Sequence, residues 1–260
     1  MSATVSDGAG GEKAGGELTG MPALVTGAGT GIGRATARRL AAMGAPVALT
    51  DIDGQAADAV ARELRAAGAE ACAMRADAAD PDDHAAAVAM AVESFGSLKL
   101  AVNNAGVGSQ RATVADTSLE AWNAILAVNL TGVFLGMRAQ IPAILDAGGG
   151  AVVNLASVLG RAARANASAY VAAKHGVIGL TAAAAVEYSA QGVRVNAVCP
   201  GFIRTNMTAH LEQAALVPLH PIGRLGEPEE MAEVIAFLLS PRASFVTGAA
   251  YPADGGFLAL

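Results

Sequence analysis

In the run ASAYVAAKHGV, residues 167 to 177, Tyr170 and Lys174 stand four positions apart among small apolar residues. On a helix that spacing puts both side chains on one face. The chemistry such a pair offers is proton exchange with a hydroxyl oxygen. Free tyrosine ionises near pH 10, and bringing it to about 7 takes roughly 4 kcal/mol of preferential phenolate stabilisation. An ammonium about 4 Å away, at an effective dielectric near 20, supplies a comparable ~4 kcal/mol. Ser157, thirteen residues before Tyr170, and Asn129 in VNLTG add a hydroxyl and an amide. Ser157 would hold the oxygen that exchanges the proton, and Asn129 could fix a water for relay through Lys174. Taken singly, each has a plainer reading: a core ring, a solvated ammonium, a strand-end hydroxyl, a helix cap. His175, about 100° around the helix from Lys174, reads as a packing residue.

The elements that must position these groups alternate along the chain. Short β-branched runs at 22–27, 46–51, 70–75, 98–106, 150–157, 193–201 and near 247–252 read as strands. Helical patterns fill 31–44, 54–67, 81–95, 118–146, 168–190 and 227–239. Nearly continuous apolar strands separated by helices predict an α/β fold. It is a single doubly wound (Rossmann-type) domain over 21–260, with an about seven-stranded parallel sheet and helices on both faces. Its ligand crevice lies beyond the carboxyl ends of the strands. Residues 1–20, rich in Gly, Ala and Ser, read as a flexible tail.

Between the first strand and helix stands TGAGTGIGRA, with glycines at 27, 29, 31 and 33. Glycines at such a turn let the backbone approach a pyrophosphate, whose charge is met by N–H groups at the helix N-terminus. Asp51, ending the second strand, would accept hydrogen bonds from an adenosine ribose and repel a 2′-phosphate, favouring NAD over NADP. Arg34 is the nearest candidate partner for such a phosphate. Asp53 reads as the cap of the helix that follows.

The spacing is GxxxGxG. With NNAG at 103–106, Asn129, Ser157, and Tyr170 with Lys174 as YxxxK, in that order, the chain resembles the short-chain dehydrogenase/reductase family from about residue 20 to 260. Pro200 with Gly201, Thr205, and DGG at 254–256 extend the likeness. The resemblance implies an NAD-dependent alcohol dehydrogenase or ketoreductase with Asn129, Ser157, Tyr170 and Lys174 as catalytic tetrad. It places Gly27, Thr30, Gly31, Ile32 and Gly33 at the pyrophosphate, Asp51 and Ile52 at the ribose, and Asp77 and Ala78 at the adenine. It places Asn104, Ala105 and Gly106 on the cofactor floor, and Pro200, Gly201, Ile203 and Thr205 at the nicotinamide. Overall likeness points to a secondary alcohol on a cyclic or hydrophobic substrate, and to a homotetramer. The other class open to the sequence is a non-catalytic NAD-binding sensor or scaffold, which would need only the glycine turn and Asp51. An epimerase is disfavoured by the glycine spacing.

Substrate contacts are expected from two loops. One carries Arg161, Arg164 and Asn166 after Ser157; the other, about 205–226, carries Met207, Leu211 and Leu216 as an apolar lid. The net charge of −6 and three lysines disfavour nucleic acid. The alanine-rich apolar runs are broken by Gly or charge, which disfavours a membrane span. His84, His175, His210 and His220 lack ligand spacing, so no metal is expected. Cys72 and Cys199 read as buried reduced thiols, as in a cytoplasmic protein.

Overall fold

The computed structural model describes residues 16–108, 111–209 and 211–260. Seven strands form one sheet: β1 (Ala23–Thr26), β2 (Val47–Asp51), β3 (Ala71–Arg75), β4 (Leu100–Asn103), β5 (Gly150–Leu155), β6 (Val193–Pro200) and β7 (Ala250–Ala253). Their order is β3-β2-β1-β4-β5-β6-β7 and every pairing is parallel. The order reverses between β1 and β4, where Val25 pairs with both Leu49 and Val102. A crevice opens at such a switch point because the crossover helices leave it toward opposite faces.

Alternating strand residues feed two cores. On one face Val25, Leu49, Val102, Val153 and Val198 cluster with Leu40 of α1 (Gly31–Ala42), Val60 of α2 (Gly54–Ala66) and Ile235 of α8 (Pro228–Leu239). On the other, Leu24, Ala101, Val152 and Val195 cluster with Ala87 of α3 (Pro81–Phe95), Ile141 of α5 (Gly132–Asp146) and Val177 of α6 (Ser168–Tyr188). A short α7 (Gln213–Leu216) belongs to the 205–226 segment. Asp53 caps α2 as its position suggested, accepting from the Gln55 and Ala56 N–H groups at 3.0 and 3.1 Å.

Several boundaries differ from the sequence reading. The fourth strand stops at Asn103 rather than 106, because the NAG residues turn out to form the crevice floor. The expected continuous helix 118–146 is two helices, α4 (Leu119–Leu126) and α5, joined by a π-turn over Ala127–Thr131. Most of the expected tail lies outside the described residues. Its last part is anchored, however: Leu18 is fully buried and its N–H bonds the Met43 carbonyl at 2.9 Å. Cys199 is buried and Cys72 only half-buried; both are free thiols. His175 is exposed instead of packed, its ring bonded to the Val171 carbonyl.

Leu119–Asp146 and Ser168–Gln191 are long and apolar enough to cross a bilayer by length and composition alone. Here their inner faces cover the sheet.

Between these helices and the sheet runs a buried polar chain. The Asn103 amide donates to Gln140 Oε1 at 3.1 Å and Asn154 Oδ1 at 2.9 Å, and Gln140 Nε2 donates back to Asn103 Oδ1 at 2.9 Å. Asn154 donates to the Thr181 hydroxyl at 3.0 Å, which donates to the Val177 carbonyl at 2.7 Å. It fixes β4, β5, α5 and α6 relative to one another, and Gly136 makes room for it, since a Cβ there would collide with Asn103 Oδ1. Gln140→Leu, similar in volume, leaves the buried Asn103 oxygen without a donor. It should lower unfolding free energy by about 1–3 kcal/mol in urea denaturation; unchanged stability would show that the network does not brace the fold.

Candidate active site

A cleft of about 1120 Å³ lies over the carboxyl ends of the strands. Typical small-molecule sites span roughly 300–1,000 Å³, so this one has room for a large ligand and a small one together. Its floor begins with the glycine turn. Gly27 and Gly31 adopt φ of +62° and +51°, which side-chain-bearing residues rarely adopt. A Cβ at Gly27 would lie 2.9 Å from Ala105 Cα, and one at Gly31 would lie 3.2 Å from Thr205 Cγ2. The turn is thus a cradle kept open by missing side chains, which fits a pyrophosphate at the start of α1.

Gly33 is a correction. It does not line the cleft; a Cβ there would collide with the Gly27 carbonyl, so its role is close approach of α1 to the turn. Thr30, Ile32, Asp51, Ile52, Asp77, Ala78, Asn104, Ala105, Gly106, Pro200, Gly201, Ile203 and Thr205 all line the cleft.

Asp51 ties this half together. One carboxylate oxygen accepts the Gly29 N–H at 2.9 Å and the other the Asp53 N–H at 3.0 Å. A carboxylate keeps further lone pairs for ribose hydroxyls. Arg34 is held elsewhere, 2.9 Å from Glu63, which also binds Arg38 at 2.6 Å. These bonds, Arg38 first, hold the Glu63 carboxyl down to about 2. Asp77 accepts from the Ala79 N–H at 2.9 Å, while its own N–H goes to Asp83 at 2.7 Å.

The other end of the cleft gathers the four polar residues singled out by spacing. Ser157 follows β5; its Oγ accepts the Leu159 N–H at 3.1 Å, the first bond of the 3₁₀ turn Val158–Gly160. Tyr170 and Lys174 come from the first two turns of α6. The Lys174 ammonium lies 5.6 Å from the centre of the Tyr170 ring and donates to the Leu155 carbonyl at 2.7 Å. Lys174 is 3% exposed, and burial pulls its pKa down to about 8.

The electrostatics of the phenol differ from the expected ones. Burial pushes the Tyr170 pKa up, and a hydrogen bond from the Ser157 side chain opposes this. Desolvation of the phenolate outweighs what Ser157 returns.

Asn129 makes its side-chain hydrogen bonds within the protein. Both amide hydrogens are used, by the Val107 carbonyl at 3.0 Å and the Ile125 carbonyl at 3.1 Å, and its oxygen accepts the Val107 N–H at 3.3 Å. It clamps the loop after β4 to the π-turn. The extra residue of a π-turn redirects a side chain out of the regular helical register.

Of the loop residues, Arg164, Asn166, Met207, Leu211 and Leu216 line the cleft, while Arg161 reaches away to the Ala250 carbonyl at 3.4 Å. Four contributors escaped the sequence reading. Thr26 accepts the Asn104 and Ala105 N–H groups, both at 3.1 Å, a role signalled by its place just before the first glycine. His84 and Arg111 line the wall without any motif to mark them. His220 is buried beneath Phe202: its Nε2 accepts the Phe202 N–H at 3.0 Å and its Nδ1 lies 2.9 Å from the Leu216 carbonyl. The bond to Phe202 joins the 205–226 segment to the end of β6, a contact eighteen residues apart without a local signal.

Comparison with known proteins agrees with this geometry. A family model described as enoyl-(acyl carrier protein) reductase matches residues 27–258. Cyclohexanol dehydrogenase of Acinetobacter sp. (strain SE19) is 52% identical over 235 residues, covering 90% of this chain and 94% of that protein. Cis-4-hydroxycyclohexanecarboxylate dehydrogenase of Sinomonas cyclohexanicum is 47% identical over 241 residues, covering 92% and 96%. The crystal structure of carveol dehydrogenase from Mycobacterium avium in complex with NAD superposes with a TM-score of 0.91 at 31% identity, over 94% of this chain and 100% of that one. Glycine cradle, parallel sheet and the Ser157, Tyr170 and Lys174 cluster therefore stand in a chain that belongs to the short-chain dehydrogenase/reductase family.

Proposed function

We propose that this enzyme interconverts a secondary alcohol on a hydrophobic ring and the corresponding ketone, with NAD as the redox partner. The observation that carries the reading is the convergence of Ser157, Tyr170 and Lys174 at one end of a cleft whose other end is the glycine cradle and Asp51. Relatives named for cyclohexanol and for a hydroxycyclohexane acid support the ring. The neighbour solved with NAD supports the cofactor.

NAD, when bound, supplies the carbon that takes or returns the hydride. Gly27, Thr30, Gly31 and Ile32 would hold its pyrophosphate, and Asp51 with Ile52 its adenosine ribose. Asp77 and Ala78 would border the adenine. Asn104, Ala105, Gly106, Pro200, Gly201, Ile203 and Thr205 would enclose the remainder. Arg34, the candidate partner for a 2′-phosphate, is instead bonded to Glu63, which supports Asp51 facing an unphosphorylated ribose.

The chain's own part is proton transfer. Ser157, near enough to Tyr170 to lower its pKa, presents with it two hydroxyls to the substrate oxygen. In the oxidative direction Tyr170 takes the alcohol proton as hydride leaves the adjacent carbon; in reduction it gives that proton back. Lys174 is a cation beside the phenol and favours its ionised form. Asn129 positions the loop that carries Gly106.

The apolar surface left on α4 to α6, at Leu119, Phe134 and Val186, supports association into a homotetramer. The free thiols support a cytoplasmic location. A binding-only role has no feature in its favour, since it leaves the buried lysine unexplained.

The test is oxidation of a panel of cyclic secondary alcohols with NAD or NADP, followed by reduced-cofactor absorbance. Wild type should turn over cyclohexanol-like alcohols with NAD preferred, and Tyr170→Phe should lose at least 10²-fold in kcat, the lower range of general acid–base effects. Robust turnover by the Phe variant would remove Tyr170 from the role. Burying Lys174 also has a sign that can be checked. Its folded pKa near 8 lies below the ordinary 10.5, so between those values the unfolded chain binds more protons and stability rises with pH. Relative to Lys174→Met, wild-type unfolding free energy should gain up to about 3 kcal/mol from pH 8 to 10.5; a flat difference would mean that the ammonium is not desolvated.

A further inference from the structure

Building on the ring-alcohol reading above, we propose that the substrate carries a carboxylate on its ring and that Arg164 binds it. Most surface arginines are paired: Arg34, Arg38, Arg39, Arg204, Arg224 and Arg242 each lie within salt-bridge distance of a glutamate. Arg164 and Arg111 have no such partner among the described residues, and both line the cleft. In a chain of net charge −6, two unpaired cations lining one cleft are a local reversal of sign.

Their placement is built into the backbone. The loops that carry them are joined by an isolated parallel bridge between Ala112 and Ala167. Between Arg164 and that bridge, Asn166 holds φ of 63°, the one non-glycine residue with positive φ among those described. Asn tolerates this left-handed conformation better than most residues, and the turn it makes precedes the helix carrying Tyr170. The Arg164 guanidinium carbon sits 5.2 Å from the centre of the Phe202 ring. His220 in turn fixes Phe202, by the hydrogen bond to its N–H and an edge-on ring contact at 5.8 Å. A stack on an aromatic ring orients a guanidinium while leaving its N–H donors available, and no acceptor in the described residues takes them.

The cleft that holds this cation and Tyr170 is also lined by apolar Val107, Met207, Leu211 and Leu216. A hydroxyl at one end, an apolar body and an anion acceptor at the other describe a hydroxylated ring acid. Glu212 also lines the cleft, but it lies beyond salt-bridge distance of either arginine. A charge-assisted bond to Arg164 outweighs the more distant repulsion.

The experiment compares kcat/KM of wild type, Arg164→Ala and Arg164→Lys for cyclohexanol, 4-hydroxycyclohexanecarboxylate and the methyl ester of that acid, at saturating NAD. Wild type should prefer the acid to its ester at least tenfold, with the preference falling as salt rises. Arg164→Ala should lose at least tenfold more on the acid than on cyclohexanol, mainly through KM, and Arg164→Lys should recover part of it. Equal use of acid and ester by wild type overturns the proposal while leaving the ring-alcohol reading intact, and needs no variant to fold. Equal losses on all three substrates in Arg164→Ala overturn it as well. Failure of wild type on every ring alcohol overturns the underlying reading, and this proposal with it.

Discussion

A lysine ammonium withdrawn from water is the constraint around which this structure is arranged. Lys174 is buried at the base of the cleft, and the Leu155 carbonyl 2.7 Å away is its protein hydrogen-bond partner. Burying a charge is costly unless it is paired, and among the described residues no carboxylate lies within salt-bridge distance of it. The depressed pKa measures that cost. What the fold gains is a cation that water does not screen, held 5.6 Å from a tyrosine ring. Leu155 ends β5, so the partner of the lysine and the serine that bonds the tyrosine come from one strand end, two residues apart.

The rest of the architecture serves to bring that strand end and α6 together without slack. Asn103, Gln140, Asn154 and Thr181 lock β4, β5, α5 and α6 by side-chain hydrogen bonds within an otherwise apolar layer. On the cofactor side the device is the opposite one. Contact there depends on absent side chains, with Gly33 letting α1 meet the Gly27 carbonyl and Gly31 letting the turn meet Thr205. Asp51 and Thr26 then pin the turn to β2 and to the loop after β4. One half of the cleft is rigid through polar bonds, the other through close backbone approach.

Much of this was legible in the sequence because its signals are local. The alternation of strands and helices, the glycine spacing, the cap at Asp53 and the four-residue step from Tyr170 to Lys174 all act within one element or turn. What escaped depends on distance in the chain. The roles of Gly33 and Asn129 follow from neighbours in other elements, and a π-turn of five residues is too short to interrupt the apolar pattern of the helices it joins. His220 is defined by its bond to Phe202, eighteen residues away. The charge balance at Tyr170 was misjudged because spacing reveals a nearby cation but says nothing of the desolvation both groups suffer.

The central proposal is that Tyr170 is the proton-carrying group, held neutral by burial in the protein alone, and that the positive charge of an oxidised nicotinamide bound beside it would add to that of Lys174 and lower its pKa. Its most direct test is a spectrophotometric titration of phenolate absorbance, with and without NAD, in wild type and Tyr170→Phe; only three tyrosines contribute. The account predicts a Tyr170-dependent ionisation above the ordinary value of 10 without NAD, moving below it when NAD is present. An ionisation unmoved by NAD, or a titration curve that Tyr170→Phe leaves unchanged, would contradict it.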